Sequence, residues 1–277
     1  MNRVGVIGWP IEHSLSPVMH NAAFQALGMT DWLYDAMAVP PDIARYAVLE
    51  PQRHGYIGLN VTVPFKQVAM EYVQPDDKAR AIGAVNTIDF RNETGTNTDV
   101  DGLINDLVAH DVALTGEKVI VLGAGGAARA AVYGLWQQGA QVVVVNRTKE
   151  RADDMLLQLT ISAGVRNVPA LTLDEAIENG ASLIVNCTSA GMWPDVENSP
   201  WVNGVPYPQG ATVYDMIYRP ARTKLMQLAE THGGRAISGL GMLVRQGALS
   251  FKLWTGVEPP IDVMMQAAQE ALAARQK

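Results

Sequence analysis

The sequence predicts an α/β protein of two domains, one of them a doubly wound parallel sheet. Three observations carry that prediction. Short apolar runs at residues 119–122, 142–145, 183–186 and 212–215 alternate with stretches of helical composition. A glycine-rich turn joins the first of these runs directly to a helix-forming segment, as VIVLGAGGAARA at residues 119–130. A length of 277 residues is enough for two compact cores.

Bulk properties narrow the class. With 48% hydrophobic and 18% charged residues the chain reads as an ordinary globular protein rather than a disordered or fibrous one. A net charge of −7 argues against a general nucleic-acid or acidic-membrane surface. The single cysteine, Cys187, leaves no internal disulfide framework, and its place at a strand end reads as a small buried filler. No apolar run reaches membrane-spanning length, and the N-terminus enters a strand at 4–7 without a signal peptide, so a cytoplasmic enzyme is expected. Histidine and cysteine show no metal-ligand spacing, and no metal is expected.

The first domain opens with the strand at 4–7 and a polar loop. Ser16 followed by Pro17 predicts a helix start, serine as N-cap and proline at the first helical position, running to Leu27 and stopping at Gly28. Ser14 and Ser16 then sit at a helix N-terminus, a place suited to an anionic group. A second strand is expected at 33–39, and Pro41 opens another helix. Residues 58–66 form a third strand ending in a loop, because Pro64 cannot continue a central strand. Thr62 and Lys66 therefore emerge at its carboxyl end, the edge where open parallel sheets bind ligands. Residues 85–90 form a fourth strand in which Asn86 and Thr87 are polar groups in need of partners. Asp99 and Asp101 precede a helix at 103–110, a candidate hinge, and suit its dipole.

The second domain is built around the glycines. Gly123 permits the tight turn out of the strand, Gly125 lets a diphosphate approach the backbone, and Gly126 leads into a helix at 127–138. Ala128 is small enough for that helix to pack closely on the sheet. The helix N-terminus offers N–H groups to an anion, and the next strand ends about 20 residues beyond the glycines, the spacing of a dinucleotide site. At that strand end an Asp or Glu would accept from the ribose of NAD and repel a 2′-phosphate. This chain has Asn146, then Arg147, Lys149 and Arg151, a neutral amide and three cations that fit a phosphate dianion. NADP is the expected cofactor. After Ser238 come a helix carrying Gln246 and a last helix at 261–275.

Taken together, these motifs resemble the shikimate dehydrogenase family nearly end to end. The resemblance is carried by GWPIEHSLSPVMHN at 8–21, NVTVPFK at 60–66, GAVNT at 83–87 and NTD at 97–99. The glycine turn, NRT at 146–148, NCT at 186–188 with Gly191 and Met192, DMIYRP at 215–220 and GMLVRQ at 241–246 continue it in order. The resemblance implies two α/β domains with the active site in the cleft between them: 1–102 plus 238–277 for substrate and catalysis, and 103–237 as the Rossmann domain for the dinucleotide. It implies that Ser14, Ser16, Thr62, Asn86, Tyr218 and Gln246 hold shikimate, and that Lys66 and Asp99 are the catalytic pair. It also implies cofactor contacts at Gly123, Ala124, Gly125, Gly126, Ala127, Asn146, Arg147, Thr148, Lys149, Arg151, Thr188, Met216 and Gly239. One departure stands out: Val100 and Asp101 replace a small or aromatic residue and a neutral one, and Asp101 adds negative charge near a site for an acid.

The chemistry of the residues agrees. Oxidising a ring alcohol needs a group that takes the hydroxyl proton while hydride leaves for a nicotinamide, and a lysine paired with an aspartate can do this. Several small hydroxyls and amides suit a polyhydroxylated small molecule, with no nucleic acid or membrane as partner and a monomer or homodimer as the assembly. Two other functions compete: a quinate dehydrogenase of catabolic type, and an NADP-binding sensor without catalysis. A pure sensor has no need of Lys66, Asp99 and the substrate loop.

Overall fold

The structure, a computed structural model, describes residues 1–202 and 204–275. Residues 203, 276 and 277, which fall inside the expected domains, lie outside the described residues. The chain divides into two compact units, Met1–Gly102 with Leu243–Lys277, and Leu103–Met242.

In the first unit, β1 (Asn2–Gly8) is followed by α1 (Ser16–Ala26), β2 (Trp32–Ala38), a 3-10 turn (Pro41–Ile43), α2 (Ala44–Arg53) and β3 (Tyr56–Val61). Then come β4 (Gln74–Pro75), α3 (Asp77–Ile82), β5 (Thr87–Asp89), β6 (Thr94–Thr96) and the first turn of α4 (Asp99–Ala109). The sheet order is β2-β1-β3-β5-β6-β4. β1 lies parallel between β2 and β3, whereas β5 runs antiparallel to β3 and to β6, so this sheet is mixed. Its register places Asn60 opposite Thr87, two polar residues in a buried ladder. Gly58 has to be glycine: a Cβ there would lie 2.1 Å from Nε1 of the buried Trp254 indole, which donates to the Ile88 carbonyl at 2.9 Å.

Local signals shift several expected boundaries. Ser16 is not the N-cap of α1: Leu15 occupies that position, and the Ser16 N–H donates to Ser14 Oγ at 3.2 Å. The cap is one residue earlier because the Ser14 hydroxyl already takes the first free amide. The helix expected from Leu103 begins at Asp99, since Asn97 Oδ1 accepts the Asp99 N–H at 3.0 Å and starts the helix there. The helix at Pro41 begins as a 3-10 turn, and the strand at 85–90 shrinks to Thr87–Asp89.

The second unit contains the rest of α4, then β7 (Lys118–Leu122), α5 (Gly126–Gln137), β8 (Gln141–Val145), α6 (Lys149–Ala163), β9 (Ala170–Leu171) and α7 (Leu173–Glu178). It closes with β10 (Leu183–Asn186), β11 (Thr212–Asp215), α8 (Lys224–Thr231), β12 (Ala236–Ser238) and the start of α9 (Leu240–Thr255). All six strands are parallel, in the order β9-β8-β7-β10-β11-β12. This is the doubly wound order whose switch point lies between the first and fourth strands, here β7 and β10. The strands read as continuous apolar runs because both faces are covered: Val119, Val121, Val142, Val144 and Val185 belong to one core, Ile120, Leu122, Ile184 and Val213 to the other.

α9 continues past Met242, where the contact boundary lies; the sequence expectation was 237/238. α10 (Ile261–Ala274) returns to pack against α1. Among the described residues no helix is long and apolar enough to cross a membrane.

Candidate active site

In the first unit, three separate segments deliver Lys66, Asn86 and Asp99 to one place. The Lys66 backbone is held by its carbonyl, which accepts the Val85 N–H at 2.8 Å. Asn97 fixes the start of α4 by accepting the Asp99 N–H and by donating to the Ala84 carbonyl at 3.0 Å. Lys66 Nζ then lies 2.7 Å from Asp99 Oδ2, and Asn86 Nδ2 lies 2.9 Å from Asp99 Oδ1. The lysine side chain is 15% exposed and the aspartate 6%. A carboxylate this buried is costly unless both oxygens are bonded, and here each has its own donor. The lysine side chain is the more accessible partner of the two.

Gln246 on α9 belongs to the same cluster, its Oε1 accepting from Asn86 Nδ2 at 3.3 Å. The Asn86 carbonyl-type oxygen is itself fixed by the Thr98 N–H at 2.8 Å. A second layer of polar groups lies behind these. Asn60 Nδ2 donates to Ser250 Oγ at 2.8 Å and to Thr87 Oγ1 at 3.0 Å, and those two hydroxyls are 2.8 Å apart. Tyr34 donates to Asn60 Oδ1 at 2.8 Å. A hydrogen-bonded path therefore runs from Tyr34 through Asn60 to the Asn86 carbonyl, which accepts from Asn60 Nδ2 at 3.2 Å. Burial pushes the Tyr34 hydroxyl well above its ordinary pKa, so it remains a donor.

Tyr34, Asn60 and Ser250 are not among the site residues that the sequence predicts. Asn60 left a signal, a lone amide in an apolar strand. Ser250 also left one, lying four residues after Gln246 on the same helix face.

Ser14 is half-buried, and its Oγ accepts the Ser16 N–H. Thr62 follows β3, its N–H bonded to the Ile7 carbonyl at 2.9 Å and its methyl against Gly8, where a Cβ would come within 2.4 Å. The loop of Ser14 and the end of β3 are joined by the Trp9 N–H, which donates to the Val63 carbonyl at 3.0 Å. Asp101 forms an ion pair with Lys78, so its charge is met by a cation within the same unit.

The second unit assembles the residues expected at a dinucleotide. Gly123 has φ +113°, outside the range of ordinary side chains, and faces Thr188 and Cys187 across the switch point. A Cβ on Gly125 would meet no protein atom within 4 Å, so the turn is open on that side. Gly125 caps α5 without any side-chain bond, which leaves the N–H groups of Gly126, Ala127 and Ala128 without intrahelical acceptors. Open space over bare backbone at an uncapped helix N-terminus fits a diphosphate. Ala124 is half-buried within this turn.

At the end of β8, Asn146 donates to the Thr148 carbonyl at 2.7 Å and closes the turn into α6. That leaves Arg147, Thr148, Lys149 and Arg151 exposed, with Lys149 3.2 Å from Asp153. Thr148 is the N-cap of α6 and makes no side-chain cap bond. Thr188 bonds Asn186 Oδ1 through both N–H and hydroxyl, at 2.9 and 2.8 Å. Asn186 in turn donates to Asp215 Oδ1 at 2.9 Å, and Thr223 donates to Oδ2 at 2.6 Å. Burial pushes the Asp215 carboxyl up from its usual range, although these donors oppose it. The parallel register pairs Asn186 with Asp215, a contact that two polar strand ends in sequence did not reveal. Burial also raises the Cys187 thiol far above its ordinary value, and the sulfur packs beside an apolar core, which fits an inert filler. Met216 approaches Gly239 so closely that a Cβ on Gly239 would lie 2.3 Å from its carbonyl oxygen. Tyr218 follows in the same loop, partly buried.

Known proteins resemble this chain across both clusters. Residues 6–88 match the family model for the shikimate dehydrogenase substrate binding domain, 106–194 that for shikimate / quinate 5-dehydrogenase, and 239–269 that for the shikimate 5'-dehydrogenase C-terminal domain. A shikimate dehydrogenase (NADP(+)) of Methanocella arvoryzae is 43% identical, with 98% of this chain and all of the relative covered. The corresponding protein of Methanosarcina mazei is 42% identical over 98% of both chains. The crystal structure of shikimate 5-dehydrogenase from Thermus thermophilus in complex with NADP(H) and shikimate is 36% identical and superposes with a TM-score of 0.87, covering 98% of this chain and 100% of that one.

Proposed function

The chain belongs to the shikimate dehydrogenase family, and from that premise we propose that it interconverts shikimate and 3-dehydroshikimate with NADP, using Lys66 and Asp99 as the acid–base pair. The observation that supports the reading is the Lys66 ammonium held 2.7 Å from a carboxylate whose other oxygen is taken by Asn86, on a lysine side chain that is partly accessible.

NADP supplies the hydride acceptor for alcohol oxidation, and its reduced form supplies the hydride donor for the reverse step. The protein's part is to manage the proton. In the reducing direction the protonated Lys66 gives a proton to the oxygen that becomes the alcohol. In the oxidising direction its neutral amine takes the hydroxyl proton as the carbon–oxygen double bond forms. Asp99 orients the lysine and balances its charge in the protonated state. Asn86 and Gln246 present amide groups beside that centre, suited to ring hydroxyls, and Thr62 adds a further hydroxyl from the same unit. Ser14 and Ser16 hold the carboxylate. Arg147, Lys149 and Arg151 answer the 2′-phosphate, and the bare backbone from Gly123 to Ala127 the diphosphate, with Thr188, Met216 and Gly239 as further cofactor contacts.

Nicotinamide reduction measured with shikimate and with quinate, each with NADP and with NAD, tests the reading. The expected result is the highest kcat/KM for shikimate with NADP. A preference for quinate would move the chain to the other branch of the family, and no turnover with any pair would leave a binding protein.

A further inference from the structure

The substrate loop is held from the far end of the chain. Arg275, the residue that closes α10, points its guanidinium at the loop before α1: Nη1 lies 2.6 Å from the His13 carbonyl oxygen and Nη2 lies 3.4 Å from that of Ser14. The partners are 262 and 261 positions away in sequence. The loop's own bonds are short-range: the Ser14 N–H reaches the Ile11 carbonyl at 2.9 Å, and the Ser16 N–H reaches Ser14 Oγ at 3.2 Å. These bonds shape the turn, and Arg275 adds a long-range tie to two of its successive carbonyls. α10 packs along α1, the helix that this loop opens, so the guanidinium is anchored to the same body that it constrains.

We propose that Arg275 is a positioning residue of the substrate site: its planar fork fixes the His13–Ser14 backbone and thereby the direction of the Ser14 and Ser16 hydroxyls. Two parallel donors on one rigid group hold two successive peptide carbonyls, which a single flexible ammonium does less well. The acceptors are neutral, so the fork also brings a permanent positive charge to the loop assigned to the substrate's carboxylate. The inference rests on the function proposed above, because it assigns that carboxylate to Ser14 and Ser16.

Steady-state kinetics on the full chain test it. Arg275→Ala is expected to raise KM for shikimate about tenfold, a loss of about 1.4 kcal/mol, with kcat and KM for NADP little changed. Arg275→Lys, which keeps the charge but not the fork, should fall between wild type and alanine. With shikimate methyl ester, whose carboxylate charge is gone, wild type and Arg275→Ala should differ much less. An unchanged KM for shikimate in Arg275→Ala would overturn the proposal. So would parallel losses for shikimate, its ester and NADP, the pattern of a general loss of folding. Should the alanine variant not fold, a lysine variant equal to wild type toward both shikimate and the ester would overturn it as well. A wild-type protein that turns over no shikimate would instead remove the dehydrogenase reading, and this inference with it.

Discussion

Asn86 holds Asp99 Oδ1 at 2.9 Å while Lys66 holds Oδ2 at 2.7 Å, so each oxygen of the buried carboxylate has one donor. Replacing that carboxylate by an amide turns one acceptor into a donor that faces either the Lys66 ammonium or the Asn86 amide. Asp99→Asn is therefore expected to open the pair and lower kcat, although its shape is conserved. Lys66→Ala should lower kcat by roughly 10²–10⁴-fold while KM for shikimate changes by a modest factor. If both residues only grip ring hydroxyls, steady-state kinetics on Lys66→Ala will show a large rise in KM with kcat nearly intact.

Much of this arrangement was legible in sequence because its elements announce themselves locally. The strands of the second unit are unbroken apolar runs, and the glycine turn has a strand before it and a helix after it. Lys66 and Asp99 were placed as a pair only by resemblance, since nothing in their own segments says that they meet. What escaped was short or non-local. β4 and β9 have two residues each and β6 has three, too few for any alternation to register. The strand β5 was expected, but its antiparallel direction depends on pairing with β3, and the Asn60–Thr87–Ser250 cluster joins residues up to 190 positions apart. The helix α3 could have been found: Asp76 accepts the Ala79 N–H at 2.7 Å as its N-cap, and Gly83 ends it with φ +73°.

The two kinds of glycine in the second unit separate stability from cofactor binding. A Cβ at Gly125 meets nothing within 4 Å, and its φ of −93° is open to alanine. Gly125→Ala should thus keep its melting temperature within a few degrees, losing under about 1 kcal/mol of capping preference, while NADP affinity falls by at least roughly tenfold. Gly239→Ala should instead lower the melting temperature in the absence of NADP, because its Cβ would sit 2.3 Å from the Met216 carbonyl and force the backbone apart. Thermal melts with and without NADP distinguish the two. Unchanged NADP affinity in Gly125→Ala would remove the diphosphate from that turn.

The cations after β8 should decide between the dinucleotides. Asn146 spends its amide on the Thr148 carbonyl, and Arg147 is left exposed at the strand end. Arg147→Ala is expected to weaken NADP by roughly ten- to a hundredfold, the size of a lost charge-assisted contact, and to leave NAD almost unaffected. Titration of both cofactors against the variant measures this. Equal losses would place Arg147 away from the 2′-phosphate.

The last prediction concerns His20, which sits on α1 one turn after Ser16 and is fully buried. Its ring stacks on Tyr34 with centroids 4.2 Å apart, near Trp254 at 5.9 Å and Phe251 at 6.1 Å, and neither ring nitrogen has a hydrogen-bond partner among the described residues. Burial pushes its pKa from 6.5 down to about 3. The unfolded chain takes up this proton near pH 6.5, whereas the folded chain refuses it until about pH 3. Between those values the unfolded state binds more protons, so stability must fall as pH falls, by up to about 1.4 kcal/mol per pH unit. From pH 7 to pH 5 the contribution of this one residue comes to about 2 kcal/mol. His20→Phe keeps a ring in the stack and removes the titration, so its unfolding free energy should lose that much less over the same interval. Urea unfolding of both proteins at pH 7 and pH 5 measures the difference. Equal pH dependence in the two would mean that acid sensitivity arises elsewhere and that His20 takes no proton on unfolding that it lacks when folded.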